Sequence, residues 1–151
     1  RFFIIVGTVM GTAQEVAKSF LNEIQTLGHA GQITLEFKAG DLDAHSDSII
    51  MICSSNTGMG DLPDNIQPFY THLKTDFPRI AGRPYALVNL GDSSYPNFGQ
   101  AGQTLHEAML DIGATSISPM LTFDAMTDDS YDNKIRAWAQ ELITAIPSEY
   151  L

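Results

Sequence analysis

Apolar residues along the chain form short continuous runs that are separated by stretches with helical spacing. Three runs, residues 2–6, 49–53 and 85–90, are almost free of polar positions. This pattern is typical of parallel strands that are buried on both faces. Residues 33–37 alternate between apolar and polar and predict a strand at or near a sheet edge. A fifth strand is predicted within residues 115–123, and Pro119 places it at an edge because proline cannot donate to a central ladder.

Between these strands, apolar residues recur every three or four positions, as in amphipathic helices. The predicted helices cover residues 13–27, 66–73, 101–112 and 135–146, and residues 38–47 form a polar connection. Strands that alternate with helices predict an α/β fold with a parallel sheet and helices on both faces, because each crossover is right-handed. We see no repeat and no linker, so we predict a single domain over residues 1–151.

The charge balance limits the partners of this chain. Its 151 residues include 18 acidic and 8 basic side chains, a net charge of −10. Such a surface repels nucleic-acid phosphates and anionic lipid, so we expect no nucleic acid and no membrane as partner, and instead a protein with a basic patch. No apolar run is long enough to span a bilayer. We expect a monomer.

The cysteine and histidine content points to no catalytic or metal centre. Cys53 is the single cysteine, which excludes a disulfide within the chain and fits a reducing compartment, so we expect a cytoplasmic protein. It lacks the arginine that a phosphatase-type signature needs at position 59, and we interpret it as a buried strand residue. The four histidines have no metal-ligand spacing.

Ligands of an open parallel sheet bind at the carboxyl ends of its strands, so the loops after the first, third and fourth strands are the candidates. The first loop, residues 7–13, is GTVMGTA and leads directly into a helix. Its small residues let backbone N–H groups converge at the positive end of the helix dipole, which favours a phosphate. The loop lacks the spacing of a P-loop and of a dinucleotide fingerprint. A tight strand-to-helix turn without a ligand explains the same residues equally well.

The second and third loops favour a flat ring as ligand. The second loop, SSNTGMGDLPD over residues 54–64, has two glycines that permit positive φ and a close approach of the backbone. The third, LGDSSYPNFG over residues 90–99, holds Tyr95 and Phe98, and aromatic rings in a polar loop favour stacking on a planar ligand. The alternatives are an ordinary surface loop for residues 54–64 and packing of Phe98 on the following helix. We assign Tyr95 to the ligand.

In this order and spacing, the three loops resemble those of the flavodoxins, and the resemblance covers essentially the whole chain. It is nearest to the short-chain type, including small bacterial proteins related to MioC and YqcA, and extends to the FMN domains of sulfite reductase flavoprotein and cytochrome P450 reductase. It implies a flavodoxin-like three-layer sandwich with a five-stranded parallel sheet in the order 2-1-3-4-5. It also implies FMN as cofactor.

The resemblance assigns a role in FMN binding to each loop. The first would hold the phosphate, the second would line one face and the N5 edge of the isoalloxazine, and the third would hold the other side, with Tyr95 stacked on the ring. Gly58 has the freedom for a peptide flip by which family members accept a hydrogen bond from reduced N5. The implied cofactor-binding residues are Thr8, Val9, Met10, Gly11, Thr12, Ala13, Ser54, Ser55, Asn56, Thr57, Gly58, Met59, Gly60, Leu90, Gly91, Asp92, Ser93, Ser94, Tyr95, Asn97, Phe98 and Gly99.

The implied function is one-electron transfer by a carrier without a substrate of its own. An NAD(P)H-dependent flavodoxin reductase, or a similar basic redox partner, would supply electrons that pass to an acceptor enzyme. Acidic residues in the loops would disfavour the negative charge added by a second electron and would steer the basic partner; they are Asp61, Asp64 and Asp92. Six other aspartates lie farther along the chain from the loops and are interpreted as solvated surface: Asp41, Asp43, Asp47, Asp128, Asp129 and Asp132.

Two departures from the family pattern imply weaker FMN binding. Met10 stands where many flavodoxins have Ser or Thr, and the second loop offers only Thr57 and Met59 to the inner flavin face, without an aromatic ring. These departures keep an alternative open, in which the chain is an accessory or regulatory docking module that binds FMN weakly or not at all. A third interpretation is the FMN domain of a larger reductase.

Overall fold

Six parallel strands form one sheet in the computed structural model, which describes residues 1–151. The strands run in the order β2-β1-β3-β4-β5, and β6 also pairs with β4, so the predicted order 2-1-3-4-5 is confirmed. In the three central strands Gly7 is in register with Ser54, and Ser54 with Asn89. The strands are β1 (Phe2–Gly7), β2 (Gly31–Thr34), β3 (Ile49–Ser55), β4 (Pro84–Gly91), β5 (Thr115–Ser116) and β6 (Leu121–Asp124).

The helices lie on both faces of the sheet, as predicted. They are α1 (Thr12–Thr26), α2 (Asp41–Ala44), α3 (Gln67–Thr71), α4 (Gln100–Asp111) and α5 (Tyr131–Ile143). A 3₁₀ turn at Asp64–Ile66 precedes α3, a π-helical turn at His72–Asp76 follows it, and a 3₁₀ turn at Ser148–Tyr150 ends the chain. None of the helices is long and apolar enough to cross a membrane.

Two hydrophobic layers explain why the central strands are continuous apolar runs. Successive side chains of a strand point to opposite faces. Phe2, Ile4 and Val6 therefore pack with α1 and α5, around Phe20 and Trp138. Phe3 and Ile5 pack on the other face with α3 and α4. Because both faces are covered, no position of these strands has to be polar.

The predicted fifth strand is divided into two. Thr115–Ser116 pairs with the start of β4 and Leu121–Asp124 with its end, and Pro119 lies between the two segments. The missing N–H of proline interrupts the ladder there. The predicted edge position is confirmed, since both segments lie on the outer side of β4.

The second strand and the connection after it also differ from the prediction. The strand covers Gly31–Thr34 rather than residues 33–37, although it does lie at the sheet edge. Leu35 packs against the layer of α1, whereas Phe37 is buried in the opposite layer, 5.0 Å from the ring of Phe69. The apolar alternation therefore continues beyond the end of the strand. Between Leu35 and Phe37 the chain passes around the sheet edge from one hydrophobic layer to the other. The polar connection contains α2, which buries Leu42.

Candidate functional site

The three loops that follow β1, β3 and β4 meet at the carboxyl edge of the sheet, where the sequence places the site. A depression of about 320 Å³ lies between the first and second loops, and one of about 310 Å³ lies between the second and third. Asn56 and Gly58 line both depressions, so the second loop forms the centre of the site.

The first loop presents backbone N–H groups that the protein itself does not use. The N–H of Gly11 donates to Oγ1 of Thr8 over 2.9 Å, and Gly11 takes a φ of 93° just before the 15-residue helix α1. The neighbouring N–H groups donate to no acceptor within the protein; they belong to Val9, Met10, Thr12, Ala13 and Gln14. Unpaired N–H groups at a helix N-terminus, together with the helix dipole, form an anion-binding site.

Asn65 holds the first loop in place through hydrogen bonds, a role that the sequence did not predict. Its Oδ1 accepts the N–H of Thr8 over 2.8 Å, while its Nδ2 donates to the carbonyls of Val6 and Leu35 over 2.7 and 3.1 Å. One side chain thus connects the end of β1, the residue after β2 and the first loop. The sequence around residues 63–65 indicates only a helix start, so no local signal could have revealed this role.

The second and third loops are locked together. Nδ2 of Asn97 donates to the carbonyl of Met59 over 2.7 Å, and Nδ2 of Asn56 donates to the carbonyl of Asn97 over 3.3 Å. Oδ1 of Asn56 accepts the N–H of Ala101 in the first turn of α4 over 2.8 Å. Gly60 fits closely against this connection: with a φ of 100°, a Cβ there would lie 2.9 Å from the Cβ of Asn97. The two loops therefore behave as one unit.

Apolar side chains project from the loops at the mouth of the site. The exposed fractions are 90% for Met10, 66% for Met59 and 63% for Tyr95. Phe98, 38% exposed, lies over Gly91 at the start of its own loop, where an added Cβ would be 2.9 Å from the ring. It therefore packs within the third loop. In contrast, Ala13, Ser54 and Leu90 are buried beneath the loops.

Asp124 and Asp128 anchor the third loop, which corrects the sequence analysis. Oδ1 of Asp124 accepts the N–H of Ser93 over 3.0 Å, and Oδ2 of Asp128 accepts the N–H of Asp124 over 2.6 Å. The interpretation of Asp128 as a merely solvated acid is therefore wrong, because its carboxylate binds the backbone N–H at the end of β6 and the ammonium of Lys134. Hydrogen bonds from the Ser93 and Met126 backbones lower the pKa of Asp124, and the Asp124 N–H and Lys134 lower the pKa of Asp128.

The remaining candidate residues have structural surroundings. Cys53 is fully buried, as predicted, and burial raises the pKa of its thiol. His72 pairs with Asp76 over 2.7 Å, His106 bonds the hydroxyl of Tyr85 over 2.8 Å, and the ring of His45 stacks on Phe3. No group of three His, Cys, Asp or Glu side chains is arranged to hold a metal ion.

Comparison with known proteins identifies relatives along nearly the whole chain. Residues 4–138 match the family model described as flavodoxin. The chain is 31% identical to a flavodoxin from Pseudomonas aeruginosa, solved as a cysteine-to-serine mutant, with a TM-score of 0.89 over 95% of this chain and 97% of that one. It is 28% identical to flavodoxin YqcA from Escherichia coli over 91% of this chain and 93% of that protein. It is 29% identical to the sulfite reductase [NADPH] flavoprotein alpha-component of Vibrio cholerae, over 99% of this chain and 24% of that protein.

Proposed function

Because the chain belongs to the flavodoxin family, we propose that it binds FMN at the carboxyl edge of its sheet and carries single electrons between proteins. An NAD(P)H-dependent flavodoxin reductase, or a similar basic redox partner, donates the electrons, and an acceptor enzyme receives them. Bound FMN supplies the redox chemistry, and the protein contributes binding, orientation and electrostatics.

The observation that carries this proposal is the set of free N–H groups in the first loop. Five backbone N–H groups between Val9 and Gln14 have no acceptor in the protein, and the N-terminus of α1 lies at the same point. Leaving these donors without a partner is costly unless an anion or water satisfies them. The arrangement fits the FMN phosphate, and it needs no lysine or arginine, of which residues 7–13 contain none. The amide of Met10 is part of the set, so the missing hydroxyl at this position removes only one donor.

The second and third loops fit the isoalloxazine ring. Tyr95 is exposed beside the depression lined by Asn56, Gly58, Gly91 and Asp92, so its ring is available to stack on the flavin. Gly58 has a φ of 42°, and no atom lies within 4 Å of the position a Cβ would take. This free space would let the peptide at Gly58 change its orientation and accept a hydrogen bond from N5 of a bound flavin.

The distribution of charge supports a basic redox partner. Asp61 and Asp64 are exposed on the second loop, and Asp92 lines the depression between the second and third loops. The whole chain carries a net charge of −10. Charges of one sign around a binding surface raise the rate of encounter with an oppositely charged protein, and salt weakens the effect.

The proposal is tested by adding FMN to the purified protein, recording absorption spectra and then reducing the complex stepwise without oxygen. We expect flavin bands that shift on binding, followed by a long-wavelength band of the one-electron-reduced flavin. Absence of any FMN binding would refute the carrier function and would favour the alternative, a docking module that uses only the fold.

Paired variants at Met10 test the phosphate position separately. Met10 is exposed, so its replacement leaves the core intact. Met10→Asp adds a negative charge beside the free N–H groups, and Met10→Asn is a neutral control of the same shape. We expect Met10→Asp to bind FMN at least about five times more weakly than Met10→Asn, since a nearby like charge costs about 1 kcal/mol or more. Riboflavin, which has no phosphate, should bind both variants equally. Equal FMN affinities would contradict the phosphate position.

A further inference from the structure

A series of hydrogen bonds connects α5 to the third loop of the site. Nζ of Lys134 lies 3.0 and 3.1 Å from the two carboxylate oxygens of Asp128. Asp128 accepts the backbone N–H of Asp124 over 2.6 Å, and Asp124 accepts the backbone N–H of Ser93 over 3.0 Å. Only Ser93 belongs to the predicted cofactor-binding residues. The other three lie 31 or more positions later in the sequence.

Lys134 is held firmly at the far end of this series. Its ammonium donates to the carbonyl of Thr122 over 2.9 Å and lies 4.9 Å from the centre of the Phe123 ring. Lys134 thus contacts both β6 and Asp128. Its hydrogen bonds are charge-assisted and therefore stronger than neutral ones, and the cation–π contact adds a further attraction. The end of β6 is therefore fixed relative to α5.

Asp124 connects the fixed end of β6 to the third loop. It is the last residue of β6 and is in register with Gly91, where the loop begins. Its Oδ1 also accepts the N–H of Met126 over 3.0 Å, which orients the carboxylate toward the loop. The N–H of Ala125 donates to the carbonyl of Gly91 over 2.9 Å. The end of β6 is therefore bonded to the loop at two points, Gly91 and Ser93.

The turn anchored at Ser93 determines where Tyr95 lies. Oδ1 of Asp92 accepts the N–H of Ser94 over 2.9 Å, and the N–H of Tyr95 donates to the carbonyl of Asp92 over 3.1 Å. Residues 92–95 thus form a closed turn with few internal degrees of freedom. Its one side-chain connection to the rest of the protein is the bond between Ser93 and Asp124. Movement at Ser93 would carry Tyr95 with it.

We propose that Asp124, supported by Asp128 and Lys134, is a positioning residue of the FMN site, because it fixes the turn at Ser93 and so places Tyr95 against the flavin ring. The inference rests on the proposed function, since it assumes that FMN binds between the loops. It adds a residue outside all three loops to the machinery of the site.

The experiment compares four proteins: wild type, Asp124→Ala, Asp124→Asn and the control Asp129→Asn. The alanine variant has no acceptor for the Ser93 N–H, whereas the asparagine variant keeps one without the charge. Asp129 is an exposed neighbour whose side chain makes no hydrogen bond, so its replacement removes a nearby charge and nothing else. Amide hydrogen exchange of Ser93 is measured without FMN. The dissociation constant of FMN and the visible circular dichroism of bound flavin are measured on the complex.

We expect Asp124→Ala to exchange the Ser93 amide at least about tenfold faster, to bind FMN about tenfold more weakly and to change the visible circular dichroism of the flavin. Asp124→Asn should recover most of the protection and affinity, and Asp129→Asn should match wild type. If Asp124→Ala does not fold, Lys134→Met serves in its place, since it releases Asp128 while retaining Asp124. It should change the same three quantities in the same direction.

Two outcomes would overturn the inference while wild type binds FMN. In the first, Asp124→Ala has the same Ser93 amide exchange, FMN affinity and visible circular dichroism as wild type. The other is faster exchange at Ser93 with unchanged FMN affinity and dichroism, which would mean that the anchored turn does not position the ring. A wild-type protein that binds no FMN would refute the proposed function itself, and the inference with it.

Discussion

Asn56 and Asn97 form a reciprocal connection between two loops that are about 40 residues apart in the chain. Each donates its side-chain amide to a carbonyl of the opposite loop, Asn56 to Asn97 itself over 3.3 Å and Asn97 to Met59 over 2.7 Å. Asn97 also adopts a φ of 59°, a left-handed conformation that asparagine tolerates better than most residues. The shape of the predicted flavin site between these loops thus depends on two amide side chains.

Asn97→Ala should therefore weaken both the fold and the site. The variant loses one hydrogen bond and places alanine in a left-handed conformation, so we expect the free energy of unfolding to fall by about 1–2 kcal/mol. We also expect FMN to bind several times more weakly, measured by the quenching of its fluorescence. The control is Asn22→Ala, since the side chain of Asn22 lies on α1 without a hydrogen bond. Equal behaviour of the two variants would contradict the importance of the connection.

Asn65→Asp should be more damaging than its small chemical change suggests. An aspartate still accepts the N–H of Thr8, but it places an oxygen against the carbonyls of Val6 and Leu35, where the amide now donates. We expect the free energy of unfolding, measured in urea at neutral pH, to fall by about 2–3 kcal/mol, because two carbonyl acceptors then face a carboxylate. The matched control is Asn133→Asp in the first turn of α5, where a negative charge is neutral or stabilising. A stable Asn65→Asp protein would show that the amide donors are dispensable.

Arg83 supports the opposite edge of the sheet and should affect stability alone. This buried side chain precedes β4, and its guanidinium donates to the carbonyls of Leu42, His45 and Ser48 around α2. Arg83→Met leaves these carbonyls without their donor, so we expect a loss of about 2–4 kcal/mol in the free energy of unfolding. FMN affinity should not change. Arg79→Met, at an exposed arginine without ion pairs, is the control and should leave stability within about 0.5 kcal/mol of wild type.

Cys53 should be chemically inert in the folded protein. Its side chain is fully buried, its Sγ lies 3.4 Å from the carbonyl of Ala13, and burial raises the pKa of the thiol. Thiolate is the reactive form, so iodoacetamide at neutral pH should not label the native protein, whereas concentrated urea should allow complete labelling. Mass spectrometry measures the label. Rapid labelling without urea would mean that the strand beneath the first loop opens readily.

The bond between Asp128 and the end of β6 should depend on pH in the acidic range. The Asp124 N–H and Lys134 lower the pKa of Asp128 in the folded protein. Its contribution to stability is therefore complete above the unfolded pKa, which is about 4, and is lost as the pH falls through the lower folded pKa. Asp128→Asn should melt below wild type at pH 7, and the difference should shrink as the pH falls below about 4. A difference that stays constant with pH would contradict the ionised state of Asp128.

Local sequence pattern was sufficient for the architecture and for the meeting of the three loops that form the proposed site. Strands buried on both faces need continuous apolar runs, and helices need a periodic apolar face, so the alternation predicts the parallel sheet and its flanking layers. The carboxyl ends of parallel strands share one edge, which brings residues 7–13, 54–64 and 90–99 together without further information. The strand at residues 115–123 shows the limit of this approach, because Pro119 indicates an edge but not a division into two segments.

The contacts that hold the loops in place were decided only in three dimensions. Asn65 lies 57 residues from Thr8, and Asp124 lies 31 residues from Ser93. Nothing in the spacing of these residues relates one to the other. A hydrogen bond forms only when donor and acceptor are brought within about 3 Å in the right orientation. For residues this far apart in the chain, that geometry depends on the register of the strands and on the exact residue at which each strand ends, which the hydrophobic pattern leaves open by several positions.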